Sequence, residues 1–122
     1  MAAQPSDTPG ATAPTRPTIS THVLDTGRGR PAAGLKVTLF KLEVDGRPIR
    51  VSESLTDDDG RVRDLLGRPL MAGVYRLRFD VPDGAPVFFR TMAVDFEIAD
   101  TSRSYHVPLL LAPFSMSTYR GT

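Results

Sequence analysis

The chain has 122 residues, of which 40% are hydrophobic and 24% charged, and its net charge at pH 7 is +1. That fits one soluble domain with a core, and it gives no electrostatic basis for binding nucleic acid. With no cysteine, a disulfide framework and a thiolate nucleophile are both excluded.

Residues 1–17 are mostly Ala, Pro, Thr, Ser and Gln with almost no large apolar side chain. Such a segment buries too little surface to offset its ordering entropy, so it reads as a disordered tail ahead of a domain at 18–122. It lacks a basic start followed by an apolar run, so it does not read as a secretory signal, and a cytoplasmic location is expected.

Thr18 to Asp25 is short and rich in β-branched residues. As a strand it places Ile19, Thr21 and Val23 on one face and Ser20, His22 and Leu24 on the other. Thr26-Gly27-Arg28-Gly29-Arg30-Pro31 is a turn. Its glycines have the wrong spacing for a phosphate loop, and no Gly-Lys-Ser/Thr follows. Leu35 to Leu42 alternates apolar and polar side chains, the mark of a half-buried strand. Val44-Asp45-Gly46-Arg47 turns the chain, and Ile49 to Leu55 returns it as a hairpin.

Asp57-Asp58-Asp59-Gly60-Arg61 lacks the alternating ligands and distal Glu of a calcium loop. It reads as a tight turn in which Asp side chains accept from backbone N–H groups and Gly takes positive φ. A functional alternative is that the turn aims Arg61 in a fixed direction. Arg63 to Met71 is an irregular connection. Gly73 to Val81 alternates most clearly of all, and Pro82-Asp83-Gly84-Ala85-Pro86 breaks it. Val87 to Thr91 has an ambiguous period, compatible with a short helical turn or a loop. Ala93 to Ile98 alternates again.

Ser104 to Leu111 is a further strand, with Pro108 demoting it to an edge or a bulge. Tyr105, Val107 and Leu109 share one face; His106 and Leu110 share the other. Phe114 and Tyr119 are expected to anchor a packed C-terminal stretch. The longest apolar run, Val107 to Pro113, is too short to cross a bilayer. The sum is about seven short strands without a long helix, an antiparallel β-sandwich. An exposed sheet or edge in such a fold invites self-association.

Little is left to carry chemistry. His22 and His106 are far apart in sequence, which argues against zinc. Each lies mid-strand, where a hydrogen-bonded structural histidine is the commoner reading. An imidazole titrating near ~6.5 also makes each a candidate proton-transfer group at neutral pH. Composition and spacing stop at a β-sandwich with a possible His-based site.

Four stretches together resemble the transthyretin-related proteins. They are Ser20-Thr21-His22-Val23-Leu24-Asp25, Thr56 to Arg61, Tyr105-His106-Val107-Pro108-Leu109-Leu110-Leu111, and Ser117-Thr118-Tyr119-Arg120-Gly121-Thr122. The resemblance spans Ile19 to Thr122. It implies an all-β, transthyretin-like antiparallel sandwich of seven to eight strands with one short helix. The two histidines and the Tyr-Arg-Gly-Thr ending are similar to the enzyme branch, the 5-hydroxyisourate hydrolases of urate (purine) degradation. That branch implies hydrolysis of 5-hydroxyisourate to 2-oxo-4-hydroxy-4-carboxy-5-ureidoimidazoline.

The positions matching the family's catalytic set are His22, Arg61, His106 and the terminal Thr122; His22, Arg61 and Thr122 would also bind substrate. The resemblance implies no metal and no organic cofactor. It implies a homotetramer with sites at the dimer–dimer interface, a small-molecule substrate, and neither a nucleic-acid nor a membrane partner. Three departures stand out. Thr122 replaces the usual Ser, Phe114-Ser115-Met116 stands where Tyr-Gly-Tyr is usual, and Phe88-Phe89 lacks the Pro-Glu that commonly follows. They keep two alternatives open: a hydrolase of another cyclic ureide, and a non-enzymatic small-molecule carrier.

Overall fold

A computed structural model describes residues 16–122 of the chain, so the tail expected at 1–17 lies almost wholly outside the described residues. The strands in chain order are β1 (Ile19–Asp25), β2 (Arg30–Pro31), β3 (Lys36–Leu42), β4 (Pro48–Leu55), β5 (Arg61–Val62), β6 (Gly73–Asp80), β7 (Thr91–Ile98), β8 (Tyr105–His106), β9 (Leu109–Ala112) and β10 (Ser115–Thr118). Seven have four residues or more; six of these fall where the sequence pattern puts a strand, and β10 falls where it puts none.

Two sheets form the sandwich. One is a four-stranded antiparallel sheet in the order β4-β3-β6-β7. The other is six-stranded: β10-β9-β1-β2 in order, with β5 and β8 also pairing with β1. Its pairing is mixed, because β1 runs antiparallel to β2 and β5 but parallel to β8 and β9.

The inner faces carry the residues that the period-two pattern selects. Ile19 and Val23 of β1, Val37 and Leu39 of β3, Leu77 and Phe79 of β6, and Leu109 of β9 are fully buried. Each such side chain stabilises the fold by about 1.5–3 kcal/mol relative to exposure. Buried hydroxyls are bonded rather than orphaned at the key junctions. Thr21 donates to the Val107 carbonyl at 2.6 Å. Thr56 donates to the Ala32 carbonyl at 2.7 Å and accepts from the Leu35 N–H at 2.9 Å, tying the end of the β3–β4 hairpin to the chain entering it.

Two expectations are corrected. No helix forms among the described residues. The segment with the ambiguous period, Val87 to Thr91, is a loop whose last residue opens β7, and the break before it holds Pro82, Pro86 and Gly84 at φ 85°. The Arg90 guanidinium takes up the local carbonyls instead, donating to Pro82, Ala85 and Val87 at 2.7, 2.9 and 3.2 Å. Nor do Phe114 and Tyr119 anchor the C-terminal stretch, being 79% and 54% exposed in the single chain. That stretch is held by pairing of β10 with β9, by Met116 packing on the core, and by the Arg120 guanidinium 4.9 Å over the Tyr105 ring.

Pro108 is neither at an edge nor inside a strand. It falls between β8 and β9, which both pair with β1. The backbone bridges the gap through the Val107 N–H, which donates to the Ser20 carbonyl at 2.9 Å.

Gly60 fixes the turn that brings β5 onto β1. Its φ is 77°, and a Cβ there would lie 2.4 Å from the Val23 carbonyl oxygen. Left-handed backbone and backbone-to-backbone contact both exclude a side chain. Gly60→Ala should therefore destabilise the protein by on the order of 1–3 kcal/mol, read as a lowered thermal or denaturant midpoint. An unchanged midpoint would show that the turn tolerates a side chain.

Candidate functional site

The acidic turn is built from its own backbone. The Asp57 carboxylate accepts the N–H groups of Asp59 and Arg61, each at 2.9 Å. The Arg61 N–H is the main reason this carboxyl is held below its ordinary value, with the Asp59 N–H and the Arg63 and Arg61 charges adding to it. The Gly60 N–H donates to the Asp57 carbonyl, and the Asp57 N–H to the Arg61 carbonyl. This is the tight turn read from the sequence, and it fixes the backbone of Arg61. Arg61 then pairs directly with His22 across β5 and β1. Among the described residues the Arg61 guanidinium forms no ion pair.

On the other side of β1, Ser20 pairs with His106 across β1 and β8. The Ser20 hydroxyl lies 2.8 Å from His106 Nδ1. Ser20 and His22 are two residues apart, so they project from the same face, ~7 Å apart along the strand. That face is the outer one: Ile19, Thr21 and Val23 are buried, while Ser20 and His22 are only half-buried. One strand thus gathers His22, Arg61 and His106 onto a single sheet face from positions 39 to 84 residues apart in sequence.

The C-terminal stretch closes onto the same place. Gly121 bridges to His106, its N–H donating to the His106 carbonyl at 2.8 Å. A Cβ on Gly121 would meet His106 Cδ2 at 2.7 Å, so the backbone lies flat against the imidazole edge. Thr122 follows directly and is exposed. The Thr118 hydroxyl, donating to the Pro108 carbonyl at 2.8 Å, holds the approach to this contact. All four sequence-selected residues therefore lie on or next to the neighbours of β1.

His106 is half-buried, and its pKa is lowered from 6.5, by burial first and then by the charges of Arg61 and His22. Its ring is neutral at pH 7. A neutral imidazole, a second imidazole and an unpaired guanidinium on one face can orient water, exchange a proton and stabilise an oxyanion. No cluster of three or more His, Asp or Glu capable of holding a metal occurs among the described residues.

Sequence reasoning missed Ser20 and Gly121. Alternation did place Ser20 on the His22 face, but nothing local says that its partner lies 86 residues away. A cavity of about 210 Å³ lined by Val94, Phe96, Tyr105, Val107, Thr118 and Arg120, among others, lies apart from this chemistry and includes neither histidine.

Comparison with known proteins gives the arrangement a context. The 5-hydroxyisourate hydrolase of Deinococcus radiodurans is 43% identical over 116 residues, covering 87% of this chain and 97% of its own. The structure of Klebsiella pneumoniae 5-hydroxyisourate hydrolase superposes with a TM-score of 0.74 at 33% identity, covering 87% of this chain and 99% of that one. Transthyretin from Sparus aurata superposes with a TM-score of 0.78 at 27% identity, covering 87% and 97%. The HIUase/Transthyretin family pattern matches residues 19–121, and with it the relatives and the fold agree: the chain belongs to the HIUase/Transthyretin family.

Proposed function

We propose that this protein is a 5-hydroxyisourate hydrolase acting in urate degradation, with 2-oxo-4-hydroxy-4-carboxy-5-ureidoimidazoline as product. The observation that carries the reading is the pairing of His22 with Arg61 and of Ser20 with His106 across one strand. A carrier needs a shaped apolar cavity and has no use for two imidazoles beside an unpaired guanidinium. The family's hydrolases, similar over nearly their whole length, favour the enzyme.

The reaction is attack of water on a ring carbonyl, followed by C–N cleavage. One imidazole takes the water proton, and the leaving nitrogen receives a proton as the bond breaks. Arg61 holds the oxygen-rich ring and stabilises the negative charge that develops on the attacked carbonyl. The Thr122 hydroxyl orients water or substrate at the His106 side. The domain at 18–122 is sufficient for this chemistry in the cytoplasm, and neither metal nor organic cofactor takes part. No helix among the described residues is long and apolar enough to cross a membrane.

The site lies on an open sheet face in the single chain, and closing it against water is the role of a homotetramer with sites at the dimer–dimer interface. Exposed Phe88, Phe89 and Phe114 and the free edges of β7 and β10 support self-association.

The direct test generates 5-hydroxyisourate in situ from urate and follows its ultraviolet decay. Acceleration by the protein is expected; decay at the spontaneous rate would transfer the reading to another cyclic ureide or to a carrier. His22→Ala and His106→Ala should each lower kcat by roughly 10²-fold or more with the assembly intact. Thr122→Val should lower turnover by on the order of tenfold while Thr122→Ser retains it, since one hydroxyl contact is at stake. Equal rates in the two would remove that hydroxyl from the site.

The depressed pKa of His106 sets the acid limb. Its ring protonates only as pH falls below 6.5, so kcat should hold through neutrality and drop in acid. Stability follows the same sign. The unfolded chain takes up this proton first, so the contribution is full above 6.5 and is lost as pH falls through the lower folded value. Denaturant midpoints measured from pH 7.5 downward check it, with His106→Gln expected to flatten the slope.

A further inference from the structure

We propose that Ser20 is a positioning residue that fixes His106 as its Nε2–H tautomer, so that His106 donates a hydrogen bond to the substrate and His22 is left as the base. The proposal rests on the hydrolase reading above and deepens it. Its basis is the 2.8 Å contact between the Ser20 hydroxyl and His106 Nδ1, set by the register that pairs these two residues across β1 and β8.

A hydroxyl has one proton to donate, and the partner recorded for the half-buried Ser20 hydroxyl among the described residues is His106 Nδ1. Donation there occupies the Nδ1 lone pair and leaves the single proton of the neutral ring on Nε2. In the opposite tautomer Nδ1–H would donate to the hydroxyl oxygen, and the hydroxyl proton would need another acceptor, of which none is recorded among the described residues.

The ring is also held against turning. Gly121 lies against its Cδ2 edge so closely that a Cβ would stand 2.7 Å away, and the Gly121 N–H is bonded to the His106 carbonyl. A flipped ring would present carbon to Ser20 and forfeit the bond. Burial first, and then the charges of Arg61 from β5 and His22 from β1, oppose a positive ring. His106 is thus suited to polarise a carbonyl as a neutral donor, through the nitrogen that Ser20 does not engage.

The proton balance closes without another reactant. Water adds to the ring carbonyl carbon as its proton passes to His22. The carbonyl π pair moves onto oxygen, facing the His106 Nε2–H and Arg61. When the oxyanion re-forms the carbonyl, the C–N bond breaks and the nitrogen takes the proton back from His22. His106 neither gains nor loses a proton through the cycle.

The tautomer is read on the intact protein with 15N-labelled histidine, from two-bond 1H–15N correlations at a pH where both rings are neutral. Protonated Nε2 and unprotonated Nδ1 at His106 are expected; an Nδ1–H ring would overturn the proposal. Ser20→Ala should lower kcat roughly tenfold with KM little changed, and let the ring populate both tautomers. Ser20→Thr, which keeps the hydroxyl, should restore most of the rate. A Ser20→Ala protein with wild-type kcat and tautomer would also overturn it. The two readings fail separately. A wild-type Nε2–H ring without acceleration of 5-hydroxyisourate decay removes the substrate and leaves the tautomer assignment. Acceleration with an Nδ1–H ring removes the assignment and leaves the substrate.

Discussion

Strand β1 is hydrogen-bonded on both sides, and the site exists because of the register it keeps with each neighbour. His22 meets Arg61 only while Thr21 meets Val62, and Ser20 meets His106 only while Ile19 meets Tyr105. A slip of one residue would turn His22 and Ser20 inward and Ile19, Thr21 and Val23 outward. The buried face prevents it. Ile19 and Val23 are fully buried, and Thr21 is bound by its hydroxyl to the Val107 carbonyl. The chemistry on the outer face is thus held in place by the packing of the inner face of the same seven residues.

Two glycines serve that register in the same physical way. Gly60 lets the acidic turn press against the Val23 carbonyl, and Gly121 lets the C-terminal stretch press against the His106 ring. Each approach is nearer than any Cβ allows, and each precedes a residue of the proposed site, Arg61 in one case and Thr122 in the other. The Asp57 carboxylate completes the first device by binding the Arg61 N–H. The Arg120–Tyr105 stack completes the second; the Tyr105 hydroxyl is itself fixed to the Asp100 carbonyl at 2.8 Å. Rigid backbone thereby substitutes for side-chain contacts in aiming the site, which limits the entropy lost on binding a ligand.

The elements legible in the sequence are those whose side chains alternate. Strands β6 and β7 follow the period-two pattern closely, β3 departs from it by burying Val37, Thr38 and Leu39 in succession, and the face assignment of β1 is correct residue by residue. What local pattern cannot carry is pairing. Ser20 and His106 are 86 residues apart, and their parallel contact depends on how the two sheets close. The missing helix has a different cause, since Arg90 binds local carbonyls and Thr91 opens β7 where the period is ambiguous. The exposure of Phe114 and Tyr119 has a third. A large apolar side chain near the end of a strand has no mark saying whether it faces its own core or another molecule.

Two identical side chains come to differ because their neighbours differ. His106 is bounded by a hydroxyl on Nδ1, a backbone edge at Cδ2 and two groups that resist positive charge. His22 is placed opposite Arg61 on a half-buried strand position, without a recorded side-chain partner on its ring among the described residues. A ring whose nitrogen is engaged by a donor and whose surroundings are cationic is a poor base. A ring whose nitrogens carry no recorded protein partner among the described residues is open to take a proton from water. Different hydrogen-bond partners are how two like groups can take different roles within one site. Here the division is made by β1 itself, which presents Ser20 to one histidine and carries the other two positions further along.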